Sequence, residues 1–318
     1  MEKPTIFFRA DASSQIGYGH FIRSLALAEM LKNDFAIYFA TVNPTDYQLN
    51  ELSTICQCIP LNASSHFEDF LSLLKGNEIV VTDNYFFTTE YQQKIKDKGC
   101  KLVCIDDIHD KHYVADIVIN HGVDDPSLFS VEPYTDLCLG IRWALLRKPF
   151  IEASPISFAK NEIIKNIVIS FGGVDYHDIT NMTIKRLKAL RPEIRIDAII
   201  GGGYSGNIEN SDKIRFHRTV SAQQVANLFR QCDLAILSAS TVCLEAIACK
   251  AKVAAGYYVD NQLDFYNYLV KNNLIYGLDN LLNTNVIDIE SIQKYNPSTI
   301  EVSNVAADYI NCFQSLWK

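Results

Sequence analysis

Residues 9–31 read RADASSQIGYGHFIRSLALAEML, and this stretch decides the fold. It follows an apolar, β-rich run at residues 5–8, turns polar and glycine-containing, and becomes apolar at helical spacing from about His20. A strand that runs through a short glycine loop into a helix is the repeating unit of parallel α/β architecture. The loop leaves backbone N–H groups unpaired at a helix N-terminus, where they favour anions. Gly17 and Gly19 let that backbone approach a ligand closely. The spacing is G-x-G-H, so the G-x-G-x-x-G dinucleotide fingerprint is absent.

The same unit recurs on either side. In the first half strands are expected at residues 5–8, 35–40, 79–82, 102–105 and 117–120, with helices at 21–32, 66–74 and 89–98. The proline-containing segment 147–155 breaks the rhythm and is the expected linker. The rhythm restarts with strands at 166–170, 196–200, 214–217, 234–237 and 252–257, and helices at 180–190, 223–231, 241–249 and 262–271. The expectation is an α/β chain of two Rossmann-like domains, residues 1–147 and 148–318, facing across a cleft. A length of 318 residues suits two such domains, and in them ligands sit at the carboxyl ends of the strands.

Composition narrows the function. A hydrophobic share of 48% supports sizeable cores, and a net charge of −8 argues against nucleic acid as a partner. One nucleotide remains compatible, because backbone N–H groups and helix ends hold a diphosphate. The opening apolar run is too short for a secretory signal, and no later stretch reaches the ~18 apolar residues of a membrane span. The nine cysteines are scattered, as at Cys104, Cys232, Cys243 and Cys249. The expected setting is the cytoplasm, with reduced thiols and no membrane partner.

Five further segments carry candidate chemistry. His20 lies where the first loop meets its helix, suited to general-base work at neutral pH or to packing and capping. In SFGGVDYHD, residues 170–178, Gly172 and Gly173 form either a phosphate approach or a plain turn, and Asp178 is placed to cap the next helix. In LSASTVCLEAIACK, residues 237–250, Ser238, Ser240 and Thr241 precede a helix start that suits a pyrophosphate. Glu245, a turn further on, is placed to accept from a ribose diol, unless the segment is an ordinary N-cap followed by a solvated Glu. In GYYVDNQLDF, residues 256–265, Asn261 and Gln262 offer donors and acceptors for a sugar. The run CIDDIHDKHYVADIVINH, residues 104–121, is rich in Asp and His, but its spacing matches no metal-ligand set, and no metal is expected. Asp83 and Tyr85, in TDNYFF at residues 82–87, follow a strand end on the His20 side.

Taken together, RADASSQIGYGHFIRSLALAE, TDNY, CIDD, FGGVD, LSASTVCLEAIACK and VDNQ resemble, in this order, the PseG-type hydrolases of pseudaminic acid biosynthesis. These cleave UDP-2,4-diacetamido-2,4,6-trideoxy-β-L-altropyranose. The resemblance implies a GT-B fold, UDP as product, no cofactor and no catalytic metal. It implies that His20 is the catalytic histidine, Tyr85 the cleft tyrosine and Asp11 the acidic loop residue. It assigns Ser238, Ser240, Thr241 and Glu245 to the nucleotide, Asn261 and Gln262 to the sugar, and FHRTVSAQQ, residues 216–224, to uracil. Val174 departs from the pattern, which carries Thr there. The later motifs are shared with MurG-like glycosyltransferases, and the opening also occurs in sugar transferases of spore-coat and surface polysaccharide pathways.

The implied chemistry is displacement at the sugar C1 with inversion, His20 taking a proton from water while helix-end N–H groups stabilise the departing diphosphate. The pathway setting implied is nonulosonic acid synthesis, flagellin glycosylation or surface polysaccharide. A glycosyltransferase, with His20 deprotonating an acceptor hydroxyl, is the alternative. A non-catalytic sugar-nucleotide binding module is the third.

Overall fold

The structure is a computed structural model that describes residues 3–13, 16–153, 163–283 and 287–317. Its strands are short apolar runs of the kind a sheet covered on both faces requires: IVVTD at Ile79–Asp83 and LAILS at Leu234–Ser238 are buried at every position. The chain divides into two compact units, Met1–Lys148 with Asn304–Lys318, and Pro149–Ser303.

The first unit is built from β1 (Thr5–Ala10), α1 (Gly19–Leu31), β2 (Ala36–Val42), α2 (Asp46–Ser53), β3 (Gln57–Leu61), α3 (His66–Leu73), β4 (Ile79–Asp83), α4 (Thr89–Asp97) and β5 (Lys101–Ile105). It continues with β6 (His112–Tyr113), β7 (Ile117–Asn120), β8 (Ser130–Val131) and β9 (Asp136–Leu139). Seven strands form one parallel sheet in the order β3-β2-β1-β4-β5-β7-β9, and β6 pairs with β8 beside it. The second unit comprises α5 (Lys148–Ala153), β10 (Asn166–Ser170), α6 (Ile179–Leu190), β11 (Arg195–Ile200), β12 (Ile214–Arg218), α7 (Ala222–Gln231), β13 (Leu234–Ser238), α8 (Thr241–Ala248), β14 (Val253–Tyr257), α9 (Leu263–Lys271), β15 (Tyr276–Asn280) and α10 (Ile289–Lys294), α5 straddling the boundary. Its parallel sheet runs β12-β11-β10-β13-β14-β15. Phe70, Val80 and Leu102 lie at the centre of one core, and Ile167, Leu187 and Leu234 at the centre of the other, all fully buried.

Each sheet reverses its winding once. In the first unit this happens between β1 and β4, which pair in parallel from Ile6/Ile79 to Ala10/Asp83. In the second it happens between β10 and β13, paired from Ile167/Leu234 to Ser170/Leu237. Helices leave to opposite faces at such a point, so the loops beyond the two strand ends open a crevice there.

One expectation is corrected. The last helix, α11 (Val305–Trp317), belongs to the first unit, so residues 148–318 are not one domain. The cause is apolar: Val305, Tyr309 and Phe313 are buried, and Phe313 meets Phe35 of the first unit with ring centroids 6.3 Å apart. The expected linker 147–155 does contain the boundary between the units, at Lys148/Pro149, and Lys148–Ala153 within it is helical; Ser154 and Pro155 lie outside the described residues.

Candidate active site

His20 is the second residue of α1, and the winding reversal sets it beside the last residue of β4. Its Nδ1 lies 2.7 Å from Asp83 Oδ1, and both side chains are buried. A proton on Nδ1 serves Asp83, which only accepts, while Arg23 Nη2, which only donates, lies 3.1 Å from the same nitrogen; Nε2 makes no hydrogen bond among the described residues. Arg23, one turn along α1, donates Nε to Asp83 Oδ2 at 2.6 Å and Nη2 to Oδ1 at 2.5 Å. Ser24 Oγ adds a contact at 3.2 Å. Burial alone would raise the Asp83 carboxyl, but the charges and hydrogen bonds of Arg23 and His20 outweigh it and hold it below the usual carboxylate range. A His whose Nδ1–H is fixed by a carboxylate presents Nε2 as a base in one orientation.

Tyr85 joins this cluster. Its ring meets the His20 ring edge-on at 4.7 Å, and its hydroxyl donates to Asp107 Oδ2 at 3.1 Å. The same Asp107 oxygen accepts from Arg23 Nη1 at 3.0 Å. A cavity of about 20 Å³, lined among others by Arg23, Asp83, Tyr85, Asp107 and Lys111, has room for about one water.

Asp11 belongs to a different network. Its Oδ1 accepts from Arg9 Nη1 at 2.5 Å and Val42 N at 2.8 Å, its Oδ2 accepts from Arg9 Nη2 at 2.8 Å, and Thr41 Oγ1 adds a contact at 3.2 Å. No hydrogen bond among the described residues joins its side chain to His20 or Tyr85. The backbone ties the two networks instead, Asp11 N donating to Asn84 Oδ1 at 2.7 Å. Gly17 sits at φ +79°, where a Cβ strains the chain, and its N–H closes the loop onto Ser13 O at 2.8 Å. Gly19 opens α1, whose N-terminus has no side-chain cap.

In the second unit the other candidates flank the β10/β13 reversal. Gly172, at φ +92°, and Gly173 follow β10; Ser238 ends β13; Ser240 and Thr241 start α8. Ser240 makes no capping bond through its side chain. Glu245 is buried at 5% exposure, so it is not a solvated helix residue. Asn261 and Gln262 lie just beyond β14, where Gln262 Oε1 accepts from Tyr258 N at 3.1 Å. Tyr258 OH donates to Phe171 O at 2.9 Å and so joins this loop to the one after β10. In the segment 216–224, Ser221 caps α7 in a reciprocal pair with Gln224.

Sequence reasoning missed Arg23, which it read as part of an apolar helix, and the role of Asp107 as its second acceptor. It also passed over Gly201. A Cβ there would lie 2.1 Å from Gly173 O, so the loops after β10 and β11 touch through backbone. Three successive glycines at residues 201–203 were the available signal. Among the described residues no group of three or more His, Cys, Asp or Glu side chains could hold a metal ion, and no helix is long and apolar enough to cross a membrane.

No protein-family model matches the chain. It is 26% identical over 281 residues to the UDP-2,4-diacetamido-2,4,6-trideoxy-beta-L-altropyranose hydrolase of Campylobacter jejuni, covering 84% of this chain and 96% of that protein. It is 25% identical to an uncharacterized protein of Methanocaldococcus jannaschii, covering 95% of this chain and 66% of the longer relative. Among solved structures it is similar to S. aureus MnaA with UDP, at a TM-score of 0.63 and 9% identity, covering 98% and 96% of the two chains. It is similar to Acinetobacter baumannii MurG at 0.55 and 13%, covering 97% and 95%. Phytolacca americana UGT2, solved with UDP-2-fluoroglucose and pterostilbene, matches at 0.59 and 11%, covering 99% and 94%. The chain has the GT-B fold, and its sequence resembles that of the UDP-diacetamido-trideoxy-altropyranose hydrolase.

Proposed function

We propose that this chain is an enzyme acting on UDP-sugars, and that it hydrolyses a UDP-linked 2,4-diacetamido-2,4,6-trideoxyhexose with inversion at C1. The observation that carries the reading is the His20 imidazole, fixed through Nδ1 on Asp83 at 2.7 Å at the winding reversal of the first sheet. The name and coverage of the Campylobacter relative support the substrate class.

In this reading a water oxygen bonds to C1 as the bond from C1 to the β-phosphate oxygen breaks. The electron pair leaves on UDP. His20 Nε2 takes the water proton, and the imidazolium that results is stabilised by Asp83. Tyr85 packs the ring in place. Asp11, its carboxylate occupied by Arg9 and Val42 N, shapes the loop that carries Gly17 and Gly19. The second unit is assigned the nucleotide: backbone N–H groups near Gly172, Gly173, Ser240 and Thr241 stabilise the diphosphate, Ser238 and Glu245 hold the nucleoside side, and Asn261 and Gln262 address the sugar. No metal is invoked.

Incubation with a panel of UDP-sugars and no acceptor, followed by NMR of the products, tests the reaction. Prompt release of free sugar with the inverted anomer appearing first is expected. Release that begins only when a sugar acceptor is added would assign a glycosyltransferase, in which His20 deprotonates the acceptor hydroxyl. His20→Asn should lower turnover by about 10²-fold or more while UDP affinity measured by calorimetry stays near that of the parent chain. Near-normal turnover in that variant would remove His20 from the mechanism.

A further inference from the structure

Asp107 lies two residues beyond β5 and is joined to both neighbours of the proposed base. Its Oδ2 accepts from Arg23 Nη1 at 3.0 Å and from Tyr85 OH at 3.1 Å. Its Oδ1 is closed off from solvent and has no hydrogen-bond partner among the described residues. A shielded carboxylate oxygen without a partner is costly, so a charge kept there calls for a reason.

Charge counting supplies one. Arg23 and Asp83 sum to zero, so Arg23 offsets part of what Asp83 offers the His20 imidazolium. With Asp107 the cluster carries one net negative charge while His20 is neutral, and a proton on His20 brings it to zero. His20, Asp83 and Arg23 are buried, so solvent screens their charges little, whereas the Asp107 side chain is 31% exposed and its charge is felt in part. Arg23 from α1 and Asp83 and Tyr85 from the end of β4 contact His20; Asp107, beyond β5, reaches this set through Arg23 and Tyr85, and His121, after β7, feels the charges of Arg23, Asp107 and Asp83. Arg23 stays charged: burial works against it, but Asp107 and Asp83 hold it well above its ordinary value. His121 stays neutral, burial and then Arg23 bringing it down to about 4. Beyond them, Asp106 is taken up by Tyr113, Asn120 and the His109 N–H, and Lys111 pairs with Asp110. Asp106 is thus engaged by neutral donors, while Asp107 pairs with Arg23 through Oδ2 and has a second oxygen left without a donor among the described residues.

We propose that Asp107 is a positioning residue for the His20 base, supplying the negative charge that makes proton uptake favourable and clamping Arg23 and Tyr85 around the ring. It touches no reacting atom and acts through Arg23 and Tyr85. The proposal rests on the reading of His20 as the base, and its test does not require turnover.

The test is an NMR titration of the His20 ring in the full chain, the signal assigned by its disappearance in His20→Asn. Asp107→Asn keeps the shape and an acceptor oxygen but removes the charge, and it should lower the His20 midpoint by about half a pH unit or more. Asp107→Glu should restore most of that shift. Tyr85→Phe, which loses the hydroxyl contact but no charge, should leave the midpoint in place. Where a UDP-sugar is turned over, the acid limb of kcat/KM should move down with the same variant. A His20 midpoint in Asp107→Asn equal to that of the parent chain overturns the proposal. A shifted midpoint in a protein that releases sugar only when an acceptor is present sustains it while removing the hydrolase reading.

Discussion

His121, the residue after β7, is 8% exposed, and its Nδ1 accepts from Leu145 N at 3.3 Å. Burial, with Arg23 nearby, lowers its proton affinity from the ordinary 6.5 to about 4. The sign follows directly. Between pH ~6.5 and ~4 the unfolded chain binds a proton that the folded chain refuses, so stability falls as pH drops through this window. The full effect is on the order of 3 kcal/mol, reached near pH 4. His121→Asn keeps an acceptor for Leu145 N and does not titrate. Urea denaturation at pH 8 and pH 5 should therefore show the parent losing about 2 kcal/mol more than the variant. Equal losses would mean that His121 accepts its proton in the folded state. At this scale the sequence was legible where a residue stands at a strand end or a loop–helix junction, as His20, Asp83 and Tyr85 do. Arg23 was not, because a charged residue on a mostly apolar helix reads the same whether it faces water or a buried carboxylate. The partner that decides it, Asp83, is sixty residues away along the chain.

Among elements, long apolar runs were read to within a residue or two. Residues 166–170 and 117–120 coincide with β10 and β7. The missed strands are the two-residue pair β6 and β8 and three edge strands: QCIPL in β3, DLCL in β9 and YGLDN in β15 lie at sheet edges, where one side is partly wet and the apolar signal fades. Of the helices not expected, α2, α5, α10 and α11, the first carries a weak apolar face, yet its start was written in the sequence: Thr45 and Gln48 cap it reciprocally. Capping also corrects the reading of α6. Asp178 occupies the N-cap position but its side chain accepts from Tyr204 OH at 2.5 Å and from Asn181 instead. The first-turn N–H groups go to Asp175, whose two oxygens accept from Ile179 N and Thr180 N at 2.9 Å each. Asp175 is buried and its backbone is left-handed at φ +44°, so it reaches under the helix end from three residues upstream of the expected cap. Asp175→Ala leaves both donors without a partner and should cost about 1–2 kcal/mol in chemical denaturation. Asp175→Asn, which can still accept one of the two bonds, should cost less. A loss below ~0.5 kcal/mol in the alanine variant would show that α6 starts stably without this contact.

For the whole molecule, alternation of strand and helix made two parallel α/β units legible, but not the return of the last helix to the first. Helix α11 is amphipathic, and periodicity names the face it buries without naming the surface that receives it. Here the surface includes α1, the helix that carries His20 and Arg23. Phe313 and Tyr309 are fully buried; Tyr309 OH donates to Trp143 O at 2.6 Å, and its ring meets Trp143 at 5.1 Å. The Arg142–Asp308 pair is exposed and adds little beside this burial. Phe313→Ala should therefore destabilise the first unit by about 3–5 kcal/mol, the range for emptying a buried aromatic site. The chain has two tryptophans, and both report on this contact: Trp143 lies against Tyr309, and Trp317 ends α11. The tryptophan fluorescence transition in urea is thus a signal of the first unit, to which the second unit contributes no indole. In Phe313→Ala that transition should shift to lower urea by the amount above, with the far-UV circular dichroism transition of the second unit left where it was. A fluorescence midpoint unchanged from the parent chain would show that α11 is only loosely laid on the first unit, and that the residues before Lys148 hold the proposed base in place without it.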